Sequence, residues 1–151
     1  MIADTSARPR VTVVIPNWNG VRHLPECLAT LREQTFKEFD TIVVDNASSD
    51  DSVAWVKEHY PEVLVIARED NGGFAKAVNA GILASRYEYV ALLNNDTALD
   101  PNWLRALVDA LDQHPDYDFA ASKMLLYSEP GVLNSAGDVW SRKRMTAEIR
   151  G

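Results

Sequence analysis

The sequence predicts an α/β fold, a mostly parallel sheet covered by helices on both faces. Three observations lead there. Apolar runs rich in β-branched residues alternate with segments of helical periodicity, the signature of parallel strands joined by crossover helices. Each run is nearly continuous in its hydrophobicity, as strands buried on both faces are. The segments that follow the runs are dense in Asn, Asp, Ser and Gly, whereas the opposite connections are not, so polar chemistry collects at one edge of the sheet.

Strands are expected over Val11 to Ile15, Thr41 to Val44, Val63 to Ala67 and Tyr89 to Leu93. A first helix should run from about Arg22 to Glu33, because Leu24, Cys27, Leu28 and Leu31 repeat at the spacing of one apolar face. A second, from about Asp51 to His59, follows a Ser/Asp cluster whose oxygens can cap free backbone N–H groups. The third, from about Phe74 to Ser85, places Phe74, Val78 and Ile82 on one side and follows Gly72-Gly73, which permit an unusual turn. A fourth opens with Asp100 as cap and Pro101 in its first turn, then carries Leu104, Leu107, Val108 and Leu111 on its buried face. Beyond Pro115, Phe119 to Ser122 and Met124 to Tyr127 read as short strands and Pro130-Gly131 as a turn. The expected organisation is a tail over 1–10, one α/β domain over 11–127 and a C-terminal extension over 128–151.

A chain of 151 residues, 46% hydrophobic and 25% charged, suits one domain with a real core. Fifteen basic residues against twenty-two acidic ones leave a net charge of -7, which excludes a nucleic-acid surface. The one basic cluster, Arg142-Lys143-Arg144, reads as a solvated segment, with contact to anionic lipid or to a diphosphate as the alternative. Cys27 stands alone, so no internal disulfide or cysteine-built zinc site can form; a reducing cytoplasm and a core position for Cys27 are expected. No apolar stretch has the length of a signal peptide or a membrane span. His23, His59 and His114 show no metal-ligand spacing. Asn46-Ala47-Ser48 and Asn95-Asp96-Thr97 match the N-glycosylation acceptor pattern, which matters only in a secreted chain, and read as coincidences.

In an open parallel sheet, ligands bind outside the carboxyl ends of the strands, where loops diverge and helix N-termini converge. Here those segments are Pro16-Asn17-Trp18-Asn19-Gly20, Asp45 through Asp50, Glu69 through Gly73, and Asn94 through Thr97. Asp45 follows the buried run Ile42-Val43-Val44, and a carboxylate at that rim can accept N–H or O–H donors from a base or ribose. Capping the next helix is its alternative duty, for which Asp50 and Ser49 lie nearer. Asp96 follows Val90 to Leu93. A hard divalent ion takes one or two carboxylates and fills its shell with phosphate oxygens and water, which makes Asp96 the candidate metal ligand, a turn residue otherwise. Asn71, Gly72 and Gly73 precede a helix whose N–H groups and dipole favour an anion, with Lys76 either a further positive charge or a solvated lysine. Trp18 can stack on a base or sugar, or pack against protein.

Taken in order, VTVVIPNWNG, IVVDNASSDDS, DNGGFAKAVNAG and LLNNDT, within about Val11 to Tyr127, resemble the A-type (GT-A) glycosyltransferases of family 2. The PNWNG-like first loop, the NGGFAKAVN-like segment, NND in place of an acidic DXD motif and the later NSAGDVW are similar to the rhamnosyltransferase-like branch.

The resemblance implies a Rossmann-like GT-A nucleotide-binding half, the donor-binding portion of an inverting glycosyltransferase. It implies as donor a nucleoside-diphosphate sugar, dTDP-rhamnose or a UDP-sugar, and as acceptor a hydroxyl of a glycan or a lipid-linked molecule. Carried over residue by residue, Pro16, Asn17 and Asn19 line the nucleotide pocket, Asp45 contacts the base, and Asn71 with Gly72-Gly73 helps hold the nucleotide. Asn94 takes the first DXD position and Asp96, the metal ligand, the last. Asn94 is a neutral amide, able to bond ribose but weaker toward a cation than a carboxylate, so magnesium or manganese is expected to bind together with the diphosphate. The general base of relatives is an acidic residue in the later, acceptor-binding part; no match occurs before Gly151, so the base is expected beyond it and 128–151 is expected to begin that part. The implied setting is cell-wall or polysaccharide biosynthesis in the cytoplasm, with peripheral association at the inner face of the membrane. A nicotinamide-dependent oxidoreductase is excluded because the first strand leads into Pro16-Asn17-Trp18-Asn19-Gly20 rather than a glycine-rich fingerprint. An aspartyl phosphotransferase is excluded by Asn94, an amide where the attacking carboxylate would stand. A noncatalytic domain that binds a nucleotide sugar or a partner chain without completing transfer stays open.

Overall fold

The computed structural model describes residues 10–135, 138–141 and 146–149. The chain divides into two compact units, Met1–Asn102 and Trp103–Gly151, a division that falls inside the 11–127 span read from sequence.

The first unit is built in the order β1 (Val11–Asn17), α1 (Leu24–Arg32), β2 (Phe39–Asp45), α2 (Ser52–His59), β3 (Leu64–Ala67), α3 (Phe74–Ala84) and β4 (Tyr89–Leu92). Its sheet has the order β3-β2-β1-β4 and every pairing is parallel. The chain steps outward from β1 to β3, and α3 then carries it back past β1 to β4. Between β1 and β4 the winding direction reverses, which opens a crevice at their carboxyl ends. Because Val11 is in register with Phe39, Asn17 ends β1 directly beside Asp45 at the end of β2.

Alternation along the strands divides the core between the two sheet faces. Val14, Ile42 and Val44 cluster with Ala77 of α3, with Ile66, Ala80 and Ala84 packed around them. The close fit is made by Gly81, whose position leaves no room for a Cβ beside Val14. The buried stripe of α3 is therefore Ala77, Val78 and Gly81, a correction to the expected Phe74, Val78 and Ile82. Small residues win the contact face because they let the helix backbone approach the sheet, which leaves Phe74 and Ile82 exposed. In α1, Leu24, Cys27, Leu28 and Leu31 are all buried, as their spacing predicts.

The start of the fourth helix also needs correction, since α4 spans Trp103–Gln113 and Asp100 and Pro101 precede it. Their backbone is engaged elsewhere. The Asp100 carbonyl accepts from Gln34 Nε2 at 2.8 Å and the Pro101 carbonyl from the Thr35 N–H at 2.8 Å, closing the end of α1. The Asp100 carboxylate caps only a local turn, through the Asn102 N–H at 2.8 Å.

In the second unit, α4 is followed by the antiparallel pair β5 (Met124–Leu126) and β6 (Glu129–Ser135), then by the pair β7 (Asp138–Ser141) and β8 (Thr146–Ile149). Leu104 and Val108 form the buried side of α4. The strand expected over Phe119 to Ser122 does not form; this stretch is exposed, and Ser122 Oγ accepts instead from Trp103 Nε1 at 3.2 Å. Pro130-Gly131 lies within β6 rather than at the turn, which falls on Tyr127 and Ser128. Leu126 pairs with Glu129 but Leu125 with Leu133, so the intervening residues bulge out of the ladder, where a proline without an N–H is tolerated. Ala136-Gly137 of the NSAGDVW segment and the Arg142-Lys143-Arg144 run lie outside the described residues. No helix among the described residues is long and apolar enough to cross a membrane.

Candidate functional site

The carboxyl ends of β1, β2 and β4 open into a cavity of about 490 Å³ lined by Pro16, Asn17, Trp18, Asn46, Asn71, Gly73, Phe74, Ala77, Asn94, Asn95 and Asp96. Five of these are asparagines, whose amides both donate and accept, so the wall can match a ligand carrying mixed polar edges. Trp18 and Phe74 are 59% and 62% exposed and bring flat apolar surfaces to it. The N-terminus of α3 opens here as well. Gly73 precedes it at φ 84°, a left-handed backbone that favours glycine, and no side chain caps the helix.

Behind this wall the loops are tied together by side-chain amides and short hydroxyl residues. The Asp45 carboxylate is 2% exposed and does not line the cavity. Its Oδ1 accepts from Asn17 Nδ2 at 2.9 Å and from Ser48 Oγ at 2.6 Å, and its Oδ2 from the Ser48 N–H at 2.9 Å. Asn17 Oδ1 in turn accepts from Asn95 Nδ2 at 2.7 Å. Gly20 is required beside this contact, because a Cβ there would overlap both Asn17 Oδ1 and Asn95 Nδ2.

A second chain runs through Asn46. Its N–H donates to the Asn17 carbonyl at 2.8 Å, its Nδ2 to Asn71 Oδ1 at 2.7 Å, and its Oδ1 accepts from the Gly72 N–H at 3.2 Å. Asn19 stands outside the cavity and fastens the first loop to the second, receiving the Ser49 N–H at 2.8 Å while its own N–H donates to Ser48 Oγ. Asn19 and Ala47 both hold left-handed backbone, at φ 50° and 59°. Asp50 pins the same two loops by accepting from the N–H groups of Val21 and Ser52 and from Ser52 Oγ. Burial opposes its ionisation, but these hydrogen bonds outweigh burial and hold its carboxyl below the usual range.

The Asn94 to Thr97 segment is supported from beneath. The Asn94 carbonyl accepts from Thr97 Oγ1 at 2.7 Å and from Cys27 Sγ at 3.6 Å. Burial pushes the Cys27 thiol up to about 11, so it stays a neutral donor. Asp96 is the single carboxylate among the residues lining the cavity, and it is exposed. Among the described residues no group of three or more His, Cys, Asp or Glu side chains is poised to hold an ion. This donor set fits a magnesium or manganese ion that takes one carboxylate from the protein and the rest of its shell from a diphosphate and water.

A model of glycosyl transferase family 2 matches residues 12–148. The chain belongs to this family. Among curated relatives, the glycosyltransferase GlyG of Streptococcus pneumoniae is 29% identical over 122 residues, covering 79% of this chain and 40% of GlyG. The chain spans less than half the length of these curated relatives that it matches. Among solved structures, this chain is matched by the mannosyltransferase PcManGT from Pyrobaculum calidifontis in complex with GDP-Man and Mn2+, at a TM-score of 0.65 and 27% identity over 70% of this chain and 33% of that one. S. aureus TarS 1-349 in complex with UDP-GlcNAc is matched at a TM-score of 0.66 and 23% identity, over 80% of this chain and 38% of that one. The parallel sheet with flanking helices is thus the GT-A, Rossmann-like fold of family 2.

Of the residues singled out from sequence, Pro16, Asn17, Asn71, Gly73, Asn94 and Asp96 meet in the cavity, whereas Asp45 and Asn19 lie behind or beside it. Asn46, Asn95, Phe74 and Ala77 line it unanticipated. Asn46 and Asn95 sit at the head of the two glycosylation-like triplets; Asn46 directly follows β2 and Asn95 lies in the loop after β4, and that place in the strand-end loops is the signal that could have found them. Trp18 is an exposed wall, not a core aromatic.

Proposed function

We propose that this domain binds a nucleoside-diphosphate sugar in the cavity and, within a longer glycosyltransferase, presents it for transfer to an acceptor hydroxyl. The observation that carries this reading is the convergence of Asn17, Asn46, Asn71, Asn94, Asn95 and Asp96 on one cavity at the strand carboxyl ends of a family 2 domain. Trp18 offers a stacking surface for the base or sugar, and the asparagine amides offer donors and acceptors to base and ribose. The open N-terminus of α3 favours the negative diphosphate. Asp45 serves the nucleotide through Asn17 and Ser48 rather than by touching the base. The donor we favour is dTDP-rhamnose, with UDP-sugars next, and the transfer we favour is direct, inverting attack on the anomeric carbon by a hydroxyl of a glycan or lipid-linked acceptor. When bound, magnesium or manganese neutralises charge on the departing diphosphate. We assign the ion to Asp96, a reading supported by its being the one carboxylate among the residues that line the cavity.

Calorimetric titration with dTDP, UDP and GDP, each with and without Mn2+, tests the reading. Binding of one of them, tighter with the metal, is expected. No binding of any nucleotide by the folded domain removes the nucleotide site. Metal-independent binding that Asp96→Ala leaves unchanged removes the metal role alone.

A further inference from the structure

The hydrogen bonds behind the cavity run in one direction, and a carboxylate stands at their origin. An ionised carboxylate only accepts. Asp45 therefore requires Asn17 to turn its NH2 group inward, where Nδ2 meets Asp45 Oδ1 at 2.9 Å and Ser48 Oγ at 3.4 Å. With its nitrogen so committed, Asn17 can offer only Oδ1 on its other side. That oxygen takes Asn95 Nδ2 at 2.7 Å. Asn95 lines the cavity, and with its nitrogen held by Asn17 its Oδ1 is the end left for a ligand. We infer that Asp45 is a positioning residue that fixes the polarity of the site: through Asn17 it locks the Asn95 amide so that the cavity meets an acceptor at Asn95.

Burial gives this polarity its force. Asp45 and Asn17 are each 2% exposed, so a reversed amide would bring two oxygens together with no water to separate them. The second chain ends with the opposite sign. Asn71 Oδ1 is occupied by Asn46 Nδ2 and the Gly73 N–H, which leaves its NH2 group for a ligand. The site so described takes a ligand edge with a donor toward Asn95 and an acceptor toward Asn71, the pattern of an imide or amide edge of a nucleobase. This inference rests on the nucleotide reading above and gives it a polarity.

The test compares Asp45→Asn with the exchange Asp45→Asn plus Asn17→Asp in the full chain. The single change puts an amide at the origin and frees both Asn17 and Asn95 to rotate. The exchange restores an acceptor facing Asn95, now an aspartate oxygen at position 17. Two readouts are taken. The side-chain NH2 signals of Asn95 are followed by NMR for solvent exchange, and the affinity for the nucleotide that the wild type binds best is measured with Mn2+. The relay predicts that one Asn95 proton exchanges slowly in the wild type, rapidly in Asp45→Asn, and slowly again in the exchange. It predicts that Asp45→Asn weakens nucleotide binding by about tenfold or more and that the exchange recovers most of the loss. Should Asp45→Asn not fold, Asn95→Asp is used instead, because it sets an acceptor against Asn17 Oδ1; the relay predicts the same loss of affinity at unchanged far-ultraviolet circular dichroism. Unchanged Asn95 exchange in Asp45→Asn, an exchange variant no better than the single one, or full affinity in Asn95→Asp overturns the relay. A wild type that binds no nucleotide overturns the nucleotide reading instead, and the relay is then scored on Asn95 exchange alone.

Discussion

Asn95 Nδ2 donates to Asn17 Oδ1 at 2.7 Å across 78 residues of sequence, joining the loop after β4 to the end of β1. This single contact closes the switch-point crevice from behind. Asn17→Ala removes it and also strips the buried Asp45 carboxylate of one of its partners. The expected result is a loss of about 1–3 kcal/mol in a urea unfolding curve, the cost of an under-satisfied buried polar group. An unchanged midpoint would show that the Asn17 bonds carry no net stability.

Trp18 gives the opposite combination. It is 59% exposed, so its removal opens no core cavity, yet it forms part of the cavity wall. Trp18→Ala should keep the unfolding midpoint and weaken nucleotide affinity by about tenfold, the scale of one lost base-stacking surface. A urea unfolding curve checks the first part and calorimetric titration with the nucleotide the second.

Gly81 is the contact point between α3 and β1. A methyl group there would collide with Val14, so Gly81→Ala should destabilise by about 1–3 kcal/mol, although alanine is the better helix former. Val14→Ala in the same chain removes the obstructing methyl groups. The double variant should be more stable than the sum of the two single losses predicts, a coupling read from denaturant curves.

Cys27 carries a pH signature. Its thiol is raised by burial from 9.0 to about 11. Below pH 9.0 the folded and unfolded chains carry the same proton. Above it the unfolded chain ionises first, so stability falls as pH rises from 9.0 toward about 11. At a fixed pH of 8, the native thiolate is depleted about a hundredfold relative to an unshifted thiol, and iodoacetamide should label native protein at least that much more slowly than urea-unfolded protein.

The strands and α1 are legible in the sequence because each is specified by its own residues. Val11 to Ile15 can be nothing but a strand buried on both faces, and Leu24, Cys27, Leu28 and Leu31 declare a helix face. The orientation of α3 is not legible in the same way. Its position depends on how closely the backbone approaches Val14, which rewards Ala77 and Gly81 over the more hydrophobic Phe74 and Ile82. Asp100 and Pro101 mislead for a related reason, because the end of α1 claims their carbonyls. The location of the site follows from the strand ends alone. Which side chain at a strand end faces the ligand is settled by the loop contacts around it: Asp45 is buried among Asn17 and Ser48, and its neighbour Asn46 takes the cavity wall. One position separates the two roles, and hydrophobicity carries no record of it.

Ala47 lies between these neighbours and Ser48 with a left-handed φ of 59°, a conformation that costs an L-residue about 1–2 kcal/mol. The loop tolerates this because Asp45, Asn46 and Ser48 are all tethered on either side of it. The rim of the site thus stores strain at a residue whose neighbours are tied down. A single glycine at position 47 would let it unwind its tension, trading a fixed rim for a more comfortable one.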